Sequence, residues 1–322
     1  MSEVEPFSAF MARALYEPGR GYYARNVRTV GARGDFSTSA TLSTMLGGAV
    51  ARWLGSEAWR QPRVRALIEI GAGDGSLLAA IRDARGFWAR RLALHVVETS
   101  PVLRARQAER LGDGVVWHED LGEALRAVGG RAFLVHNELL DAFPVDLAQW
   151  TGGAWREVWV GGRPAREELR PLTLDPASFS ALSGWTPPYA EQRVELHGAV
   201  RRWLRGWAPA WRGGAMLSID YGDVMPALYH RRPRGTLRAY WLQQRLEGAS
   251  VYASPGQQDI TADVNFTDYR AWARELGWRE VWFGTQAELI ARWGKVEGDA
   301  DRFLVDPDGA GGAFKAVLHR PT

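Results

Sequence analysis

The chain lacks cysteine altogether, has only two lysines and contains no long apolar run. The absence of cysteine excludes disulfide bonds, thiolate metal ligands and cysteine nucleophiles. No stretch approaches the roughly 20 apolar residues of a membrane-spanning helix. The acidic segment at residues 1–6 has no apolar core of the kind found in signal peptides, so we expect a cytoplasmic protein.

The charge pattern argues against a nucleic-acid partner. The 322 residues carry a formal net charge of only +3, and almost all of the basic residues are arginine. Along the sequence these arginines are interspersed with acids, which is not the footprint of a nucleic-acid-binding protein. The length allows one large α/β domain with insertions or two domains. The sequence leaves the oligomeric state open, with a homodimer among the alternatives.

Motifs of two other enzyme classes are missing. No G-x-x-x-x-G-K-[ST] sequence occurs, which disfavours a P-loop nucleotidase. The six histidines show no paired metal-binding spacing. The segment His118-Glu119-Asp120 is a poor metal site, and an ordinary histidine at a strand end is the better interpretation, so we predict no metal.

The segment 64–81 carries the clearest pattern of the chain. An apolar run of β-forming residues is followed by glycines at 71, 73 and 75, and apolar residues then recur at helical spacing. This order predicts a strand, a tight turn and the start of a helix. It is the expected first βα unit of an α/β sheet.

Glu69, two residues before the first glycine, indicates which ligand this turn binds. Glycines let the backbone approach a ligand at the carboxyl end of the strand, beside the helix N-terminus. The dinucleotide fingerprint needs Gly or Ala at position 76, where this chain has Ser76. A carboxylate at Glu69 would repel a pyrophosphate and attract the ammonium and sulfonium groups of S-adenosylmethionine (SAM). We therefore expect SAM contacts at Glu69, Gly71, Ala72, Gly73 and Gly75.

Two alternatives to this interpretation remain. A NAD-dependent oxidoreductase is the weaker enzymatic one. An ordinary tight turn between strand and helix is the structural one, because a glycine triplet alone is weak evidence.

A polar, glycine-rich segment at 31–39 precedes the first strand, between predicted helices at 6–16 and about 41–54. One interpretation is a loop that closes over the cofactor. The other is a solvated connector with a helix cap at Ser39 or Thr41. On the first interpretation, the cofactor contacts are Gly34, Asp35, Thr38 and Ser39.

Two further predicted strands, at 92–98 and 115–121, end in acids. In nucleotide-binding sheets an acid at the end of the second strand accepts hydrogen bonds from the ribose hydroxyls, which is the role expected of Glu98. Asp120 is placed to accept from the adenine amino group, and its alternative role is the N-cap of a helix. The contacts predicted here are Glu98, Thr99, Ser100, Asp120 and Leu121.

The fourth strand, at 132–136, is followed directly by Asn137, Glu138 and Asp141. Polar groups at the end of a central strand are where open α/β sheets hold their reacting groups. An amide and two carboxylates in one short segment suit the binding of a cationic or amino nucleophile. Asn137 is also expected to contact the cofactor.

The remaining pattern predicts a seven-stranded sheet with insertions, its last two strands antiparallel. We expect an N-terminal helical lid segment at 1–60 and a core at 61–322. Insertions are expected at about 146–188 and 226–263, the first containing a tryptophan-rich hairpin. The other predicted elements are helices at 189–207, 266–278 and 286–293, and strands at 215–220, 280–283 and 314–319.

Ordered sequence matches to a known family extend over nearly the whole chain. They are Phe10-Met11 with Ala14-Leu15-Tyr16, Gly21-Tyr22-Tyr23, Gly34-Asp35-Phe36 with Thr38-Ser39, Glu69 with the three glycines, Glu98-Thr99-Ser100-Pro101 with Leu103-Arg104 and Gln107, Asn137-Glu138 with Asp141-Ala142 and Pro144-Val145, Ile219-Asp220-Tyr221-Gly222, Arg234-Gly235-Thr236-Leu237 with Tyr240, Pro255-Gly256 with Asp259-Ile260-Thr261, Val264 with Phe266, and Thr285-Gln286. On these residues the chain resembles the MidA-type methyltransferases.

This resemblance implies a class I SAM-dependent methyltransferase: a Rossmann-like, seven-stranded α/β sheet with an antiparallel last strand. It also implies methyl transfer to protein arginine and, from the mitochondrial members, a role in the assembly of respiratory complex I. The chain departs from the family pattern at 40–43, where Pro-Glu is usual, and at Leu139-Leu140, where aromatic residues are common. Both departures concern the substrate pocket more than the cofactor site.

For arginine methylation, Glu138 and Asp141 are the expected partners of the guanidinium, with Asn137 orienting. Alternatively, Asn137 and Glu138 line the methionine end of SAM and a partner protein supplies the rest. A hypothesis from another class is a SAM-binding assembly factor without turnover, since exposed tryptophans at 146–174 would favour a protein interface. The structural alternative is that these tryptophans cover a sheet edge.

Overall fold

The computed structural model describes residues 4–26, 43–242 and 244–322. The predicted cofactor contacts Gly34, Asp35, Thr38 and Ser39 lie outside the described residues. No helix among the described residues has the length and apolar character needed to cross a membrane.

The helices alternate with strands over much of the chain. Short 3-10 turns lie at Ala89–Arg91, Leu140–Ala142, Pro176–Ser178, Ala208–Ala210, Ala227–Tyr229 and Gly248–Tyr252, and a π-helical turn at Tyr22–Asn26. The α-helices are α1 (Phe7–Tyr16), α2 (Met45–Arg60), α3 (Ser76–Ala84), α4 (Pro101–Leu111), α5 (Leu121–Ala127), α6 (Gly198–Trp207), α7 (Phe266–Glu275), α8 (Gln286–Trp293), α9 (Asp299–Val305) and α10 (Ala310–Ala313).

Most of the strands are short. They are β1 (Glu5–Pro6), β2 (Ala66–Ile70), β3 (Ala93–Val97), β4 (Val115–His118), β5 (Phe133–Asn137), β6 (Asp146–Trp150), β7 (Trp155–Gly161), β8 (Arg166–Pro171), β9 (Arg193–Leu196), β10 (Met216–Asp223), β11 (Arg238–Trp241), β12 (Gln244–Leu246), β13 (Asp259–Thr261), β14 (Val264–Asn265), β15 (Arg279–Thr285) and β16 (Phe314–Arg320).

The described residues form two compact units. The sheet unit comprises residues 43–139, 203–221 and 272–322, and the insertion unit comprises 4–26, 140–202 and 222–271. This division differs from the predicted boundaries, because the N-terminal helix α1 belongs with the insertions whereas α2 belongs with the sheet. The segment 1–60, which was predicted to be separate, is therefore divided: its described residues 4–26 lie in the insertion unit and 43–60 in the sheet unit.

The main sheet has eight strands among the described residues. Seven run in the order β15-β16-β10-β5-β2-β3-β4, and the short β14 pairs in parallel with the last two residues of β10. The strands β10, β5, β2, β3 and β4 pair in parallel, whereas β16 pairs antiparallel with both β10 and β15. The predicted α/β sheet with an antiparallel last strand is thus confirmed. Of the last two strands, only β16 runs antiparallel to the five parallel strands. Because β15 is antiparallel to β16, it runs in the same direction as those five.

Apolar residues of the parallel strands and of α2 and α3 form one buried cluster. All five residues of β2 are buried. Trp53 of α2 packs edge-on against Phe133 of β5, with ring centroids 6.4 Å apart. The periodicity that predicted α1 is also confirmed, since Phe7, Phe10, Met11, Ala14 and Leu15 are its buried residues.

The insertion unit contains a five-stranded sheet in which β7 pairs with β1, β6 and β8, and β6 pairs with β9. The predicted hairpin is confirmed as β6–β7. The helix predicted at 189–207 is wrong in its first part: residues Arg193–Leu196 form β9 against β6, and the helix begins only at Gly198. Val194 and Leu196 alternate with Glu195, but an alternation over three residues is too short to distinguish a strand from a helix. The second insertion also contains a small sheet, β12-β11-β13.

Two tryptophans of α2 allow a matched test of the core. Trp53 is 1% exposed and Trp59 is 62% exposed. We expect Trp53→Ala to lower the free energy of unfolding by about 3–5 kcal/mol, because it opens a cavity in the core. Trp59→Ala should change it by less than about 0.5 kcal/mol. Urea titration followed by far-ultraviolet circular dichroism measures both, and equal midpoints for the two variants would contradict this placement of the core.

Candidate functional site

The glycine turn after β2 has left-handed backbone at each of its glycines. The φ angles of Gly71, Gly73 and Gly75 are 68°, 56° and 82°. A side chain at any of these positions would strain the backbone. A Cβ at Gly73 would meet no atom within 4 Å, so space lies open above this turn. The helix α3 begins directly afterwards at Ser76.

Asp74 holds the turn onto the helix. Its Oδ1 accepts a hydrogen bond from the Ser76 backbone N–H at 3.0 Å, and its Oδ2 accepts from Arg110 of α4 at 2.8 Å. Asp74 thereby supports the first turn of α3 while its charge is paired. The first contact is local to the turn, whereas the second joins the turn to α4.

Glu69, the penultimate residue of β2, is a buried carboxylate at the carboxyl edge of the parallel sheet. Its side chain is 3% exposed, and Oε2 has no hydrogen-bond partner among the described residues. Burial, with the charge of Asp74 and of Glu98, raises the pKa of Glu69 to about 8. A buried carboxylate with an unused acceptor is suited to a cationic hydrogen-bond donor.

Glu98 lies at the end of β3 and is held by two donors. Its Oε1 accepts from the Ser100 backbone N–H at 2.8 Å, and its Oε2 accepts from Gln107 Nε2 at 3.0 Å. Burial raises its pKa, and these hydrogen bonds partly oppose that rise. The carboxylate therefore has a fixed orientation at the carboxyl edge of the sheet.

Gln107 of α4 connects the neighbouring parts of this edge. Besides Glu98, its Nε2 donates to the Gly73 carbonyl at 2.9 Å, and its Oε1 accepts from the Trp117 indole at 3.1 Å. The residue is fully buried. One amide thus fixes the glycine turn relative to β3 and β4.

The other predicted contacts after β3 and β4 have clear local roles. Ser100 is the N-cap of α4, accepting from the Leu103 N–H at 3.4 Å, while Thr99 is exposed and Leu121 is buried. Asp120 is the N-cap of α5 and accepts from the Glu123 N–H at 2.8 Å, which is the alternative role considered for it. Its predicted contact with adenine remains a prediction.

His118 is the last residue of β4, where the sequence favours an ordinary strand-end histidine over a metal ligand. Its Nε2 lies 3.0 Å from Nδ1 of His95, and the two buried rings stack. Among the described residues, no group of three metal-ligating side chains occurs.

Glu138 follows β5 with a left-handed backbone, at φ 53°. This conformation is uncommon for a residue other than glycine and costs free energy unless its surroundings stabilise it. The Glu138 N–H donates to the Ile219 carbonyl at 2.9 Å. Its Oε1 accepts from Asn137 Nδ2 and its Oε2 from the Tyr221 hydroxyl, each at 2.9 Å. The carboxylate is therefore pre-oriented by the last residue of β5 and by Tyr221 of β10.

Asn137 and Asp220 complete this end of the sheet. Asn137 Oδ1 is buried without a partner among the described residues. Asp220, buried within β10, accepts from the backbone N–H groups of Leu139 and Tyr221, at 3.1 and 3.0 Å. Leu139 also packs close to Gly71, so the segment after β5 adjoins the glycine turn.

Asp141 belongs to the insertion unit and not to the sheet unit. Its Oδ2 accepts from the Thr261 hydroxyl at 2.6 Å, and its Oδ1 is buried without a partner in the described part of the chain. Burial raises its pKa. Its predicted role beside Glu138 remains a prediction.

Sequence reasoning did not assign site roles to Gln107, Asp220 and Tyr221. Gln107 lies on the buried face of α4, and a glutamine at such a position was the available signal. Asp220 and Tyr221 stand at the end of a predicted strand, where the rule that singled out Asn137 applies equally.

The unpartnered acceptors of this edge fit a cationic adenosyl cofactor. Glu69 Oε2 and Asn137 Oδ1 can each accept from an ammonium group. Glu98, at the end of the second strand, is placed as ribose-binding acids are. A pyrophosphate would face buried carboxylates instead of donors.

Comparison with known proteins agrees with this geometry. Residues 49–284 match the model of a family described as “Putative S-adenosyl-L-methionine-dependent methyltransferase”. The mitochondrial protein arginine methyltransferase NDUFAF7 homolog of Drosophila melanogaster is 28% identical over 307 residues, 84% of this chain and 67% of that protein. NDUFAF7 of Xenopus tropicalis, also named a mitochondrial protein arginine methyltransferase, is 28% identical over 297 residues, 82% of this chain and 66% of that protein. The chain thus spans about two thirds of the length of these curated relatives.

A solved structure resembles nearly the whole chain. A protein of Burkholderia thailandensis, crystallised with S-adenosylhomocysteine bound, aligns with a TM-score of 0.83 and 27% identity, over 98% of this chain and 88% of that one. A second crystal structure from the same organism aligns with a TM-score of 0.81 and 26% identity, over 98% and 87% of the two chains. The resemblance noted from the sequence is therefore confirmed.

The raised pKa of Glu69 predicts that a proton is released when a cationic ligand binds beside it. At about pH 6.5 its carboxyl group is protonated in the free protein, whereas pairing with an ammonium favours the ionised form. We expect S-adenosylhomocysteine to release about one proton per molecule bound at this pH. Titration calorimetry in buffers of different ionisation enthalpy measures this number.

Two variants control that measurement. Glu69→Gln should remove the released proton, whereas Glu119→Gln, at an exposed acid, should leave it unchanged. A release that persists in Glu69→Gln would show that Glu69 does not meet the ligand cation.

Proposed function

We propose that this chain, which belongs to the family of S-adenosyl-L-methionine-dependent methyltransferases, methylates an arginine side chain of a protein. Its cofactor is SAM. The arginine acceptor is supported by the names of the curated relatives. The observation in this chain that supports it is the pre-oriented Glu138 carboxylate.

An arginine acceptor requires a carboxylate because the guanidinium is protonated at neutral pH. Glu138 has both oxygens held by donors, so its direction is set before the acceptor arrives. A carboxylate of fixed direction can pair with guanidinium N–H groups in a defined geometry. Glu138 pairs with the guanidinium and aims one nitrogen, while Asn137 and Tyr221 are positioning residues.

The chemistry needs little base strength from the protein. SAM, when bound, supplies a methyl group on a sulfonium whose charge is lost on transfer. The guanidinium nitrogen forms one C–N bond and gives up one proton, which the Glu138 carboxylate accepts. Orientation should therefore contribute more to the rate than proton abstraction.

The cofactor contacts are also part of the proposal. Glu69 and Asn137 receive the ammonium group, Glu98 receives the ribose hydroxyls, and the backbone of 71–75 passes beneath the cofactor. The support is their common position at the carboxyl ends of β2, β3 and β5, where Glu69 Oε2 and Asn137 Oδ1 have no partner among the described residues. Asp120, with Leu121 beside it, remains our proposed adenine contact.

An assembly factor without turnover has less support. Trp155 of the hairpin stacks with Trp185, which stacks in turn on Tyr229. These contacts are internal to the insertion unit. They match the alternative in which the tryptophans cover a sheet.

The cytoplasmic location stays a prediction. Both curated relatives are mitochondrial by name, and that location is theirs. Fractionation of the source cells with an antibody against this chain decides between the two compartments.

Glu138→Gln tests the acceptor role. The neutral amide keeps the size of the side chain but cannot pair with a guanidinium charge, so we expect methyl transfer to fall about 10³-fold. Binding of S-adenosylhomocysteine should remain measurable. The assay uses tritium-labelled SAM, a lysate of the source organism as acceptor, and identification of methylarginine after acid hydrolysis.

The companion variants make the result specific. Tyr221→Phe removes one of the two donors to Glu138 and should reduce transfer about tenfold, and Glu109→Gln, at an exposed acid of α4, should have no effect. Weakened cofactor binding with normal turnover in Glu138→Gln would instead assign Glu138 to the methionine end of SAM. Label recovered on another amino acid would refute the arginine acceptor.

A further inference from the structure

The ends of α2 and α3 and the loops that follow them, before β2 and β3 at the amino end of the parallel sheet, carry a strong excess of positive charge. Segments 55–65 and 82–92 contain seven arginines and two acids. The two segments are adjacent, since the Ala93 N–H donates to the Arg65 carbonyl at 2.8 Å. The arginines that are scattered in the sequence are therefore gathered here by the fold.

The two acids leave most of this charge uncompensated. Glu57 is buried and accepts from Arg320 at 2.7 Å, with Arg60 at 3.4 Å. Asp83 pairs with Arg82. Burial and the like charges of Arg82 and Arg90 lower the pKa of Arg85, which shows how closely the cations are placed.

Large aromatic side chains protrude among these arginines. Phe87 is 75% exposed and meets Trp88 edge-on at 5.4 Å, while the Arg91 guanidinium lies 5.5 Å from the Trp88 ring centre. Trp59, near the end of α2, is also exposed, and α2 packs against the turn Ala89–Arg91. Exposed apolar groups of this size beside cations indicate an interaction surface.

We propose that this aromatic–arginine surface, formed by Trp59, Arg63, Phe87, Trp88, Arg90 and Arg91, docks on the headgroup layer of an anionic lipid bilayer. Arginines attract anionic headgroups, and tryptophan and phenylalanine enter the interfacial layer. Phe87 projects from a turn instead of lining a groove, which favours a fluid lipid layer over the fitted surface of a protein. The proposal does not depend on the methyl acceptor.

Vesicle flotation with the full chain tests this surface. Wild-type protein should float with vesicles of phosphatidylcholine containing about 30% phosphatidylglycerol, and not with phosphatidylcholine alone. Raising the salt concentration should weaken the binding. The double variant Phe87→Ser/Trp88→Ser should bind at least about tenfold more weakly, because it removes the apolar contact. Arg90→Gln/Arg91→Gln should lose about tenfold on the anionic vesicles.

A matched control lies on α9. Phe303 is 57% exposed, and its neighbour Arg302 pairs with Asp299 at 2.7 Å, so the local charge is balanced. Phe303→Ser/Arg302→Gln should leave flotation unchanged. Binding of S-adenosylhomocysteine by every variant shows that the sheet unit is folded.

Three results would overturn the proposal. They are a wild-type chain that does not float with anionic vesicles, surface variants that float as well as wild type, and binding to duplex DNA or an acidic polypeptide in place of vesicles. The last result would assign the surface to a different polyanion.

Discussion

Burial leaves one carboxylate oxygen of Glu69, near the end of β2, without a hydrogen-bond partner among the described residues. Burial raises the pKa of Glu69 to about 8, so near neutral pH the free protein holds it as the acid. A shift of that size corresponds to several kcal/mol, which a cationic ligand can recover by pairing with the ionised form. We therefore expect the site to prefer a cationic ligand, because pairing with Glu69 relieves the free-energy cost of burying its carboxylate unpaired.

The residues around Glu69 keep that edge rigid. Gln107 fixes the glycine turn and Glu98 together, and Asn137 and Tyr221 fix Glu138. Each holding group is a neutral donor, so it orients a carboxylate without cancelling its charge. Acidic side chains thus lie at the carboxyl edge of the sheet, whereas arginines collect at the amino edge.

The parts of the fold that depend on local pattern could be predicted from the sequence. The glycine turn, the strand preceding it and the amphipathic helix α1 follow from spacing alone. The start of α6 could not be predicted in this way. The residues before it form β9 by pairing with β6, and the local sequence does not show that pairing. Asp120 shows a related limit: its type and place suited both a helix cap and an adenine contact, and the structure shows the cap.

Contacts that join distant segments of the chain were the hardest to predict from the sequence. Nothing in the sequence near Gln107 shows that its amide meets the Gly73 carbonyl. The same holds for the Tyr221 hydroxyl, which meets Glu138 only because β10 lies beside β5. Clustering of the arginines at one edge likewise needs the parallel order of β2 and β3.

The most direct test of this account compares two cofactors on one protein. Calorimetric titration with SAM and, separately, with NADH should show binding of SAM at about micromolar affinity and no heat with NADH. Gly73→Val should abolish SAM binding, because the open space above the turn is filled and left-handed backbone is disfavoured for valine. Binding of NADH, or SAM binding that survives in a folded Gly73→Val protein, would contradict a cation-selective site at this turn.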